Sequence, residues 1–114
     1  MSRRSNLLLL QDIAAAGAKI LSYTEGYNVN DFLGDDKTAD AVIRNFEIIG
    51  EAANRLTDDF KDQHPQVDWH KIRGFRNRIV HDYIDIDYEI VWQLRTDNVP
   101  VLLEEVAKIL AQMQ

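Results

Sequence analysis

The residues from Trp69 to Tyr83, WHKIRGFRNRIVHDY, combine side-chain types that can act on an anion. Lys71, Arg73, Arg76 and Arg78 bring four of the chain's 13 Lys and Arg residues into one short stretch. Arginine presents a planar fork of donors to a phosphate or carboxylate, and the imidazole of His81 exchanges a proton near neutral pH. On a helix turning about 100° per residue, with Asn77 at zero, Arg73 lies at about −40°, His81 at about +40°, Val80 at about −60° and Arg76 at about −100°. Ile72, Phe75 and Ile79 fall between about 160° and 220°, on the opposite side. One face thus belongs to a core, and the other gathers two arginines, an amide and an imidazole. Two readings stand at this point: a solvated basic stripe, or a site.

The remaining titratable residues point more weakly. His64 and His70 lack the four-residue spacing with which a helix presents two imidazoles to a metal, so they read as surface residues. Glu47 and Glu51 are four apart on a helix, and a solvated face or a pairing with Arg44 explains them better than carboxylate catalysis. Gly50 costs about 1 kcal/mol inside a helix, which predicts a point of close packing. Tyr23, Tyr27, Tyr88 and both tryptophans read as core or interface. With no cysteine in 114 residues, disulfides, thiolate zinc sites and thiol catalysis are excluded. The net charge of −6 argues against unspecific coating of nucleic acid, which needs a broad positive surface; a nucleic-acid role has to be local.

The elements that position these residues are helical throughout. Apolar residues recur at helical spacing and no β-branched alternation predicts a strand. A first helix starts after Ser5, carries Leu10, Ile13, Ala14, Gly17, Ile20 and Leu21 on one face, and ends near Gly26. A short turn capped by Asn30 follows. A longer helix runs from about Thr38 to Leu56 with Val42, Phe46, Ile49, Ala53 and Leu56 facing a core. The polar segment from Thr57 to Val67, broken by Pro65, reads as a connection with one weak turn of helix. Asp68 caps a third main helix that extends to about His81, and Tyr83 to Asp87 forms a bend. Asp87 caps a last helix that Pro100 kinks or breaks near Asn98. The expectation is an all-α, up-and-down bundle of four main helices with short helical turns, one domain over residues 1–114. Arg3 and Arg4 before Leu7 to Leu10 imitate an export signal, but Gln11 and Asp12 stop the apolar run after four residues, so the chain reads as cytoplasmic.

The segment closely resembles the signature of HepT-like proteins, a branch of the HEPN superfamily. That signature is an arginine, four residues, a histidine, one residue and a tyrosine, met here by Arg76, His81 and Tyr83, with the expected polar Asn77 after the arginine. Arg44 to Ala52, RNFEIIGEA, is similar to the family's second-helix pattern, and the proline-interrupted last helix fits as well. The resemblance implies an all-helical homodimer with a ribonuclease site, the toxin of a toxin–antitoxin pair whose partner is an MntA-like minimal nucleotidyltransferase. It further implies that the partner silences the toxin by attaching AMP to Tyr83.

RNA supplies its own nucleophile, the 2′-hydroxyl, so cleavage needs a base, an acid for the leaving 5′-oxygen and positive charge for the phosphorane. Two His81 side chains, one from each protomer, divide the proton transfers; Arg76 clamps the phosphate and Asn77 orients His81 or substrate. Arg73, Arg78 and Lys71 are assigned to the RNA backbone. On a straight helix Arg76 and His81 are about 140° apart. That spread favours a site shared across a two-fold axis, with Val80 as a contact there. No metal or other cofactor is called for. The competing reading is a helical dimer that holds a nucleotide or presents substrate to the nucleotidyltransferase and cuts nothing; a titrating histidine favours the enzyme.

Overall fold

The computed structural model describes residues 4–81 and 85–113, apart from the His81 side chain. The chain forms α1 (Asn6–Tyr23), α2 (Val29–Leu33), α3 (Asp36–Arg55), α4 (Asp58–Gln63), α5 (Trp69–Arg73), α6 (Phe75–Ile79), the strands β1 (Val80–His81) and β2 (Asp85–Ile86), then α7 (Tyr88–Asp97) and α8 (Val99–Met113). The all-α expectation holds, with α1, α3, α5–α6 and α7–α8 as the four main rods. Among the described residues no helix is long and apolar enough to cross a membrane.

Local chemistry sets most boundaries. The hydroxyl of Ser5 accepts from the Leu8 amide, and the carboxylates of Asp35, Asp68 and Asp87 do the same for Thr38, Lys71 and Ile90. Asn28, rather than the expected Asn30, caps α2, in a reciprocal box with Asp31. Asn28 wins because it sits three residues before an acidic side chain that reaches back to its amide. Helix α1 stops at Tyr23, three residues before Gly26, because Thr24 turns its hydroxyl back to the Ile20 carbonyl at 2.8 Å. The polar connection after Thr57 contains the six-residue α4, whose Phe60 is buried.

The core is one cluster in which α3 supplies Val42, Phe46, Ile49 and Ala53, as its spacing predicts. The buried face of α1 includes Leu9 and Ala16, whereas Ala14 and Leu21 lie at its half-buried margin. Helix α1 packs along both α3 and α8. At Gly17 the approach to α8 is so close that an added Cβ would stand 2.8 Å from a methyl of Leu103. Phe75 of α6 meets Phe46 edge-to-face at 5.5 Å, which fixes the motif-bearing helix on α3.

Two expectations fail around the motif. The single helix from Asp68 to about His81 is instead α5 and α6, separated at Gly74, and it ends at Ile79. Val80 takes extended backbone at φ −102° and ψ 108°, and β1 pairs antiparallel with β2, Val80 opposite Ile86 and His81 opposite Asp85. The Asp87 amide donates to the Ile79 carbonyl at 2.8 Å, closing the ribbon at the helix end. A β-branched pair, Ile79-Val80, answered by Ile86 across the ribbon favours this over another helical turn. The interruption expected near Asn98 is present: α7 ends at Asp97, Asn98 keeps right-handed helical backbone, and Pro100 occupies the first turn of α8, where its missing N–H costs nothing.

Candidate functional site

The termination of α6 changes the geometry of the motif. His81 lies two residues past the helix end in extended backbone, so the wheel angle of about 40° assigned to it, and the 140° separation from Arg76, do not describe this chain. Three residues of helix and two of strand put the two positions at most about 11 Å apart along the chain. Register fixes the His81 backbone opposite Asp85. The expectations for the His81 side chain and for Tyr83 lie outside the described residues.

Arg73, Arg76, Asn77 and Arg78 are all exposed, and Val80 is half-buried. Their helices are held from the other side by Trp69, Ile72, Phe75 and Ile79, each buried in the core. Among the described residues, no carboxylate pairs with Arg73, Arg76 or Arg78. Elsewhere the same chain pairs its arginines: Arg4 with Asp12 at 2.7 Å, Arg55 with Glu51 at 3.0 Å and Arg44 with Glu47 at 4.0 Å. In a protein of net charge −6, three exposed guanidiniums with no ion-pair partner among the described residues are groups available to an external anion.

The turn at Gly74 spreads these cations over different surfaces. Arg73 faces, with His70, an open hollow against α4 that Asp58, Lys61 and Asp62 also line. Lys71 lies at a separate hollow with Asp97, Asn98 and Glu105 of α7 and α8. Arg76 forms one wall of a cleft of about 420 Å³ between α1 and α3. Arg73 and Arg76, about 60° apart on an unbroken helix, thus serve different hollows. The His64 ring lies tilted against Phe60 at 4.6 Å and its carbonyl accepts from the Trp69 indole, a structural placement.

The cleft beside Arg76 contains residues that the sequence did not single out for binding: Arg4, Arg44 and Arg55, with Asp12, Glu47 and Glu51 beside them. A signal was present in Arg44, Ile48, Glu51 and Arg55, which recur at steps of four, three and four and so share one face of α3. Glu47 does pair with Arg44, as expected, while Glu51 pairs with Arg55. Gly50 also lines this cleft, and it lies against α5 without the tight approach that its position predicts. An added Cβ would meet only the Ile72 and Arg73 carbonyls, at 3.7 and 3.9 Å, which is ordinary contact.

Comparison with known proteins gives these residues a setting. A family model described as ribonuclease HepT-like matches residues 13–109, which takes in the whole of α3, α5, α6 and the ribbon. "Putative RNase MJ0127" of Methanocaldococcus jannaschii is 34% identical over 114 residues, covering 100% of this chain and 94% of its own. "Putative RNase MJ1380" of the same organism is 35% identical over 93% of this chain and 97% of its own. "Probable ribonuclease HepT" of Thermococcus cleftensis is 36% identical over 94% of this chain and 97% of its own. No solved structure matches the chain. Because that match runs from α1 through α8 and brackets the arginine-rich pair of helices and the ribbon that follows them, the chain belongs to the HepT-like family of the HEPN superfamily.

Proposed function

We propose that this protein is a metal-independent endoribonuclease, a toxin held in check by an MntA-like nucleotidyltransferase antitoxin, with Arg76, Asn77 and His81 as its catalytic residues. The observation that carries the reading is the set of guanidiniums on α5 and α6 that are exposed and have no partner among the described residues, one of which, Arg76, precedes His81 in the family motif. A structural cation on a protein this acidic has carboxylates to pair with; these have none among the described residues. The names of the relatives, ribonucleases, support the same reaction class.

The chemistry follows from the residue types. A neutral imidazole of His81 takes the proton of the 2′-hydroxyl, the oxygen attacks phosphorus, and the P–O5′ bond breaks as a protonated imidazole gives its proton to the leaving oxygen. The products are a 2′,3′-cyclic phosphate and a free 5′-hydroxyl. Arg76 holds the non-bridging oxygens through its paired N–H groups, where negative charge grows. One motif supplies one imidazole, and the reaction uses two proton carriers. This favours a homodimer in which each protomer lends a His81, with half-buried Val80 at the contact. The requirement for two imidazoles replaces the helix-angle argument, which the ribbon removes.

Regulation is assigned to Tyr83: AMP on its hydroxyl adds a nucleotide and a phosphodiester charge two residues from His81, where both compete with RNA for Arg76. The protein acts in the cytoplasm as one domain over residues 1–114. His81→Ala tests the reading: cleavage of RNA falls by roughly 10²- to 10⁴-fold with the helical circular dichroism retained, while the unaltered protein cuts in EDTA and leaves 2′,3′-cyclic ends. Strict dependence on a divalent ion refutes the mechanism. RNA binding without any cleavage returns the competing reading, a non-catalytic binding subunit.

A further inference from the structure

We propose that Asp87 is the positioning residue of the catalytic histidine: its carboxylate, held at the start of α7, accepts a hydrogen bond from one ring nitrogen of His81 and so turns the other toward the 2′-hydroxyl. The inference rests on the ribonuclease reading above and names what orients its imidazole.

The ribbon supplies the first argument, through its backbone alone. Val80 stands opposite Ile86 and His81 opposite Asp85. The Asp87 amide donates to the Ile79 carbonyl at 2.8 Å, and Asp87 itself is extended at φ −91° and ψ 91°, so the same register runs one residue further, with Asp87 opposite Ile79. Positions 81 and 87 are therefore diagonal neighbours on adjacent strands, about 7–8 Å apart at Cα and closer at Cβ, a span that a carboxylate and an imidazole bridge. They also share a face. Val80 and Ile86 pack against the core, and the period of two assigns 81, 85 and 87 to the other side, where Asp85 is exposed.

Rigidity decides between the two carboxylates that the ribbon brings to position 81. Asp85 is directly opposite but exposed, and a pair so open to water is weak and loosely held. Asp87 is half-buried, its amide is tied to Ile79, and its Oδ1 accepts from the Ile90 amide at 3.1 Å. That cap sets the plane of the carboxylate, and a carboxylate accepts from more donors than one. The start of α7 also favours its ionised form. The chemistry calls for such a group. A neutral imidazole carries its proton on either ring nitrogen, and only the tautomer whose proton points away from RNA offers a lone pair to the 2′-hydroxyl. A fixed carboxylate selects that tautomer. It then stabilises the imidazolium formed when the hydroxyl proton arrives on the opposite nitrogen, and stays ionised itself. In the second protomer its own Asp87 aims the protonated ring at the leaving 5′-oxygen in the same way.

Asp87→Asn and Asp87→Ser test this in the full chain, because both residues cap a helix as Asp does and only the carboxylate is lost. The Tm should hold within about 5 °C. On a labelled RNA oligonucleotide kcat should fall roughly 10- to 100-fold, the size of losing a histidine's orienting carboxylate, with KM within about twofold of the parent. NMR titration of the ring nitrogens, with His81 identified against His81→Ala, should show its pKa lowered by about one pH unit, while His64 and His70 stay unmoved. Asp85→Asn should change neither rate nor titration. In the unaltered protein the nitrogen shifts of neutral His81 should report one fixed tautomer. A fall in kcat with the His81 titration unmoved makes Asp87 a structural cap and overturns the inference. A His81 ring that averages between tautomers in the unaltered protein also overturns it. If Asp85→Asn moves the titration and the Asp87 variants do not, the residue directly opposite is the partner and the assignment fails. If the unaltered protein cuts no RNA but Asp87→Asn still moves the His81 titration, the ribonuclease reading fails and the Asp87–His81 pair stands.

Discussion

Arg76→Gln separates function from fold more cleanly than any other change at the motif. The side chain is exposed and, among the described residues, has no ion-pair or hydrogen-bond partner, while its helix is anchored by Phe75 and Ile79 from the other face. Its removal costs the fold no more than a surface substitution, within about 0.5 kcal/mol, or about 2 °C in Tm for a chain of this size. The reaction loses much more. A donor aimed at developing oxyanion charge is worth about 2.7–4 kcal/mol, so single-turnover cleavage should slow by roughly 10²- to 10³-fold. The loss of one phosphate contact lowers the single-strand salt slope by about 0.7. Consequently the affinity gap between variant and parent should narrow about 2.6-fold between 50 and 200 mM salt. Arg76→Lys keeps the charge and loses the fork, so it should restore the salt slope but only part of the rate. Combined with His81→Ala, the second substitution should add little, because the two groups act on one transition state. Rapid-quench cleavage of a labelled oligonucleotide, with melting followed by circular dichroism, reads all of this. Undiminished cleavage by a well-folded Arg76→Gln protein would refute the reasoning, as would a large drop in Tm accounting for the lost rate.

Two further expectations concern the scaffold. Thr24→Val removes the hydroxyl that accepts from the Arg95 guanidinium at 2.8 Å and donates to Ile20 at 2.8 Å; Thr24 is fully buried, so the change should cost about 2 kcal/mol. A double-mutant cycle with Arg95→Met, read by urea unfolding, should assign most of that to the Thr24–Arg95 pair, Arg95 also donating to the Thr24 carbonyl at 3.4 Å and resting on the Trp92 ring at 4.6 Å. Tyr27→Phe probes Asp35, whose carboxyl is pulled down to about 2, first by the Tyr27 hydroxyl at 2.6 Å and then by Thr38. Because the folded value is depressed, that stabilisation is present above about pH 4 and is lost as pH falls toward 2. The melting difference between Tyr27→Phe and the parent should therefore be widest at pH 5–7 and shrink below pH 3, and a pH-independent difference would refute the assignment.

Much of the fold was legible in the residues alone, and for a local reason. The stripe Val42, Phe46, Ile49 and Ala53 is set by helical periodicity, and Ser5, Asp68 and Asp87 cap because their side chains reach amides three residues on. The interruption near Asn98 follows from a proline that has no N–H to give. The family signature was likewise legible, because it is a matter of residue order from Arg76 to Tyr83. What sequence did not disclose depends on partners distant in the chain. Whether the motif helix continues to His81 turns on Ile86 pairing with Val80 across the ribbon, and a wheel drawn from neighbours carries no such term. Which glycine is packed most tightly turns on Leu103 reaching Gly17, while Gly50 meets the Ile72 and Arg73 carbonyls at ordinary contact distance. The meeting of Arg44 and Arg55 with Arg76 at one cleft needs α3 and α6 to dock through Phe46 and Phe75, a contact 29 positions apart that only the tertiary structure decides.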